Sequence, residues 1–182
     1  MRNKHTSIFA GAAVLAICGV AFAADGTIDF PGLKMHGAFG HTGSFRAESN
    51  LQAPYMYAEI SKGGWGTGLT VHALMQDGQY IDIKITDPTN QISSVPKRYP
   101  IADNQAPGDK YARVAHATIE YHGTRVCWSK EGGALTLTAL GAVDGPVAGT
   151  LEGVKWGTQG GGNGCDSLGA TGSFATQRAV DR

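Results

Sequence analysis

An all-β domain, an antiparallel sandwich or barrel of about ten strands, is the fold the sequence predicts. Three observations carry that expectation. Apolar and polar residues alternate with period two along several stretches. Glycine is abundant, 27 of 182 residues, and spread along the chain with no G-X-Y period. Helix-period apolar stretches are missing after residue 23.

The first expected strands are 27–30, 38–47 and 55–61. Residues 68–76 set Leu69, Val71, Ala73 and Met75 against Thr70, His72, Leu74 and Gln76, and 79–86 set Ile81, Ile83 and Ile85 against Tyr80, Asp82 and Lys84. Asp77-Gly78 between them is a hairpin signal, because this pair adopts positive φ at low cost. In 114–122, Ala115, Ala117, Ile119 and Tyr121 face one way and His116, Thr118, Glu120 and His122 the other. His122-Gly123 then turns into 124–129, a second expected hairpin. Strands 134–140, 147–156 and 168–176 complete the set, separated by Asp144-Gly145-Pro146 and by the glycine-rich residues 157–164. Residues 87–110 break the rhythm with Pro88, Pro96, Pro100 and Pro107. Each proline removes a ladder donor, so this stretch cannot be a central strand, although a short one fits at Val95 and Tyr99-Pro100-Ile101.

The N-terminal residues have the three parts of a secretory signal peptide. A basic start with Arg2 and Lys4 leads into an apolar stretch from Ile8 to Phe22 and an Ala21-Phe22-Ala23 site. Cleavage after Ala23 is expected, leaving one domain over 24–182 in the periplasm or outside the cell. About 15 apolar residues fall short of the roughly 20 a membrane span needs, so no transmembrane segment is expected in the mature chain. Leu15-Ala16-Ile17-Cys18 has the outline of a lipoprotein box, which would place a lipid on Cys18. Ile17 stands where such boxes carry Gly, Ala or Ser, and cleavage there would cut the apolar stretch short. Taking Arg2 and Lys4 from 15 basic residues leaves 13 against 15 acidic ones. That near-neutral balance argues against nucleic acid as a partner. Loss of Cys18 leaves Cys127 and Cys165 as an even pair in an oxidising compartment, where a disulfide is the default.

Chemistry-bearing patterns are sparse. His116, Glu120 and His122 share one strand face with about 6.6 Å between alternate residues, too far apart at the ends for one metal ion without a neighbouring strand. A solvated sheet face explains them more simply. No G-x-S-x-G, H-E-x-x-H or D-x-D-x-D-G pattern occurs, and Gly160-Gly161-Gly162-Asn163-Gly164 lacks the Lys-Ser/Thr of a phosphate loop. No cofactor is implied. Aromatic residues offer the other signal. Tyr55 and Tyr57 share a strand face, and Trp65 sits in Gly63-Gly64-Trp65-Gly66, where a ligand contact or packing under its own loop would each account for it.

Two resemblances follow from these residues. Ala24-Asp25-Gly26-Thr27-Ile28-Asp29-Phe30 resembles the opening of chaperone–usher fimbrial subunits, incomplete immunoglobulin-like sandwiches completed by a donated strand. Leu135-Thr136-Leu137-Thr138, then Val147 through Gly153, then Gly172-Ser173-Phe174 are similar to the C-terminal half of exported bacterial β-proteins of unknown function. That likeness implies an envelope location and an all-β fold, and it brings no catalytic residues. The leading expectation is therefore a non-enzymatic exported domain that binds a protein or a small ligand, with the oligomeric state left open. A pilus-type structural subunit is the second reading. A hydrolase or metal-dependent enzyme, with His116 or His122 meeting a carboxylate from a distant strand, is the third.

Overall fold

A computed structural model describes residues 25–30, 33–38, 54–64, 66–106, 109–158 and 164–179. The strands among them are β1 (Asp25–Phe30), β2 (Leu33–Ala38), β3 (Tyr55–Gly63), β4 (Gly66–Leu74), β5 (Tyr80–Asp87) and β6 (Lys97–Pro100). They continue with β7 (His116–His122), β8 (Val126–Lys130), β9 (Ala134–Leu140), β10 (Pro146–Glu152), β11 (Lys155–Thr158) and β12 (Gly172–Gln177). The hydrogen-bonded order is β11-β8-β7-β5-β4-β3-β2-β1-β12-β10-β9-β6. Paired strands run antiparallel except β2 and β3, which meet in parallel through Ala38 and Tyr55 alone. That single bridge divides the order into two antiparallel halves. They face each other across one core, as the layers of a sandwich, and the sheet does not close into a barrel. Among the described residues no helix is long and apolar enough to cross a membrane.

Period-two patterning builds this arrangement. Leu69, Val71 and Ala73 on β4, Ile81, Ile83 and Ile85 on β5, and Ala117 and Ile119 on β7 are all buried in the core. From the other half come Ile28 and Phe30 on β1, Leu135 and Leu137 on β9, Val147 and Leu151 on β10, and Phe174 on β12. Burying one isoleucine contributes roughly 1.5–3 kcal/mol. A one-residue slip of β5 would turn Ile81, Ile83 and Ile85 outward together, so the register is firmly set. The β4–β5 hairpin forms around Asp77-Gly78 as expected, with Gly78 at φ 83° and the Met75 N–H donating to Gln79 O at 2.7 Å.

Several strand expectations change. The expected strand 147–156 is two strands, because Gly153 takes φ 62° and turns the chain between β10 and β11. The last strand starts at Gly172 rather than 168, because Asp166–Leu168 forms a single 3-10 turn. Gly172 packs on Phe30, whose ring lies 2.4 Å from where a Cβ would stand. β2 ends at Ala38, where a strand over 38–47 had been expected, and the rest of that stretch lies outside the described residues.

The proline-rich stretch is pinned to the sandwich at two places. Asp87, fully buried, accepts hydrogen bonds from the Thr89 N–H (2.9 Å), the Thr89 hydroxyl (2.6 Å) and Lys97 Nζ (2.5 Å). Burial pushes its carboxyl up, but Lys97 and Thr89 outweigh that and hold it below the usual carboxylate range. β6 then joins the end of one half by pairing with β9, and the order ends at the other side in β11; both end strands are four residues long.

The second anchor is Ser129. β7 and β8 pair only from Glu120 with Trp128 to His122 with Val126, and beyond that they part. The chain after β6 enters the gap. Ile101 bridges Ala117, the Ala102 N–H donates to Ala117 O at 2.8 Å, and the Asn104 N–H donates to Ser129 O at 3.0 Å. Where no ladder bond spans, the buried Ser129 hydroxyl accepts from the Ile119 N–H (3.0 Å) and donates to Ala102 O (2.9 Å). A second isolated bridge, Ala58 with Arg178, ties β3 to the end of β12.

Cys127 and Cys165 are joined at an S–S distance of 2.00 Å across a sequence separation of 38. Closing a loop of that length stabilises by about 4 kcal/mol in the chain-entropy model. Replacing both cysteines by serine should lower the unfolding free energy by about that amount in urea titration. Ser129→Ala should cost about 1–3 kcal/mol by the same measurement, because it leaves a buried N–H and a buried carbonyl without partners.

Candidate functional site

The outward faces of β4, β5 and β7 carry a polar surface, continued by the buried Tyr57 and Glu59 of β3, and its geometry follows from strand register. Tyr57 lies opposite His72, His72 opposite Asp82, and Asp82 opposite Glu120. One step along the strands, Tyr55, Leu74, Tyr80 and His122 form the neighbouring row. Side chains in one row stand on strands about 4.8 Å apart, and the rows are about 6.6 Å apart.

Charges of opposite sign alternate across this face. His72 Nδ1 is 2.8 Å from Asp82 Oδ1 and its Nε2 is 3.3 Å from Glu59 Oε1. Lys84 Nζ lies 3.6 Å from Asp82 Oδ2 and 3.9 Å from Glu120 Oε2, and His122 Nε2 is 2.6 Å from Glu120 Oε1. The Lys84 side chain is 43% exposed, so its pairs are screened and weak. The histidine clamp is the strong part: the side chains of His72, Glu59 and Asp82 are 26%, 11% and 15% exposed.

Burial alone would push the His72 imidazole down. The hydrogen bonds and charges of Asp82 and Glu59 outweigh it and raise the pKa to about 9. Burial likewise pushes Asp82 up, and His72 with Lys84 brings it below the usual carboxylate range. At neutral pH His72 is therefore an imidazolium that donates one N–H to each carboxylate. An imidazolium has no lone pair for a metal ion or for accepting a proton. Among the described residues no group of three or more His, Cys, Asp or Glu side chains is placed to hold a metal.

Aromatic rings flank the clamp. Tyr57 tilts over His72 with ring centroids 4.9 Å apart, and Tyr55 stacks on Tyr57 at 5.8 Å. On the other side Tyr80 stacks on His122 at 4.2 Å, the planes 11° apart. Between Tyr55 and Tyr80 lies a cleft of about 170 Å³, lined by these two rings with His72, Ala73, Leu74 and Asp82.

The residues singled out in the sequence are distributed unevenly over this site. Tyr55 lines the cleft, whereas Tyr57 is only 2% exposed and packs with Ala179, so it offers no surface to a ligand. Glu120 and His122 do not line the cleft; they pair with each other next to its Asp82 and Tyr80. His116 stands apart at the start of β7, its Nδ1 2.8 Å from Val114 O and its ring 5.2 Å from Tyr111. Trp65 lies outside the described residues. His72, Asp82, Glu59 and Tyr80 were not singled out beforehand. A partial signal existed: the alternation puts His72 and Asp82 on the same face of neighbouring strands, while their direct pairing is set by the register that runs from Leu74 with Tyr80. Trp128 and Trp156 lie on β8 and β11. Trp156 donates its Nε1–H to Gly169 O at 2.6 Å and meets Phe30 edge-on.

No family model matches the chain, and no curated protein or solved structure matches it.

The clamp makes stability depend on pH. The folded pKa of His72 lies above the unfolded value near 6.5, so its contribution is complete below about pH 6.5 and is lost as pH rises to about 9. Unfolding free energy measured across that interval should fall for the natural protein, and His72→Gln should remove most of the slope. A direct NMR titration of the His72 ring should show its midpoint well above 6.5.

Proposed function

We propose that the protein is an exported, non-enzymatic β-domain, periplasmic or secreted, that binds a small ligand in the cleft between Tyr55 and Tyr80. The cleft carries this reading: two aromatic walls with a fixed polar pair at their base are what a small-molecule site needs for contact area and orientation. Binding rather than catalysis is supported by the state of His72. With both ring nitrogens engaged and a pKa of about 9, it is a fixed donor and a poor proton shuttle at neutral pH. Export is supported by the basic, apolar and Ala-x-Ala parts of residues 1–23 and by a bonded cysteine pair, which persists in oxidising compartments.

Two measurements test this. N-terminal sequencing of the protein from a host with the export pathway should find Ala24 first, and retention of residues 1–23 in the cell would refute export. A solution of phenol, methyl glucoside, tetramethylammonium and acetate should shift the amide signals of Leu74 and Tyr80. Tyr80→Leu should weaken the response by about tenfold, about 1.4 kcal/mol. Unmoved signals in the natural protein would refute binding at the cleft.

A further inference from the structure

We infer that the ligand is a single uncharged, hydroxyl-bearing ring, the size of one neutral sugar residue; this rests on the binding reading above and names its ligand class. Size is the first constraint. Drug-sized ligands occupy pockets of roughly 300–1,000 Å³. A cleft of about 170 Å³ matches one small ring.

Charge is the second. Three carboxylates, Glu59, Asp82 and Glu120, face the protonated His72 and Lys84, and His122 is hydrogen-bonded to the third. A cationic ligand would sit beside the two cations, Lys84 and His72, already paired with these carboxylates. An anionic ligand would enter beside carboxylates held in their charged form. A neutral ligand meets neither cost.

Acceptor capacity is the third. His72 binds Oδ1 of Asp82, and Lys84 is ion-paired to Oδ2 at 3.6 Å, which leaves that oxygen a second lone pair. That oxygen lies on a cleft-lining carboxylate and can accept from a ligand hydroxyl. The walls complete the match. His122 covers one face of Tyr80, so Tyr80 has its other face and edge to offer, and Leu74 adds an apolar side chain to the lining. A sugar ring presents C–H groups on its faces and hydroxyls at its rim, which suits an aromatic wall beside a carboxylate.

The test is an amide-shift titration of the processed protein, at millimolar concentration, with separate methyl glycosides of a neutral hexose, a pentose, a 6-deoxyhexose and an N-acetylhexosamine. Tetramethylammonium, phenol and acetate are titrated alongside. At least one neutral glycoside should saturate shifts at Ala73, Leu74 and Asp82. Its affinity should fall about tenfold or more in both Tyr80→Leu and Asp82→Asn, each checked for a native near-ultraviolet spectrum. Saturation by tetramethylammonium, phenol or acetate with no glycoside response would overturn the sugar inference and leave the binding reading standing. No response to any of the seven would overturn both. Glycoside binding unchanged in both variants would place the sugar elsewhere and also overturn the inference.

Discussion

The need to bury one face of a long sheet governs this molecule. A strand patterned with period two offers the core only alternate residues, and a flat sheet of twelve such strands would leave one whole apolar face in water. Folding the sheet at the single bridge between Ala38 and Tyr55 lets each half cover the other. The cost falls on the backbone at the places where the halves meet without a ladder. There, individual groups replace regular pairing: Ser129 between β7 and the incoming chain, Asp87 at the start of the proline-rich stretch, Arg178 at the end of β12.

The same constraint creates the polar face. With Leu69, Val71, Ala73 and the three isoleucines of β5 committed inward, their neighbours must point out, and register lines them up across strands. His72 thereby falls between Glu59 and Asp82. The tight hold on its ring fixes β3, β4 and β5 relative to one another, and the cleft borders inherit that rigidity. The cleft is thus framed by strand residues rather than by loops.

How much could be read in advance depends on sequence distance. The β4–β5 hairpin was legible because Asp77-Gly78 marks the turn and alternation on both sides puts His72 and Asp82 on the same face. The Cys127–Cys165 pair was legible because, with Cys18 expected to leave with the signal segment, no other partner remained. The pairing of β6 with β9 was not, since it joins segments more than thirty residues apart and no local turn signals it. Gly153 was a visible glycine in an expected strand, but only the backbone turn there separates β10 from β11. The clamp was half visible: the hairpin puts Asp82 and His72 on the same face, while Glu59 comes from β3, whose register depends on the turn near Gly64.

The two short end strands have a further consequence. Unpaired strand rims invite other chains to add on, and long flat rims do so most readily. Among the described residues the order ends at β6, which carries Arg98 and the donor-less Pro100, and at β11, which opens with Lys155. Crowded copies of this protein would thus meet charge and interrupted hydrogen bonding where they might otherwise fuse into filaments.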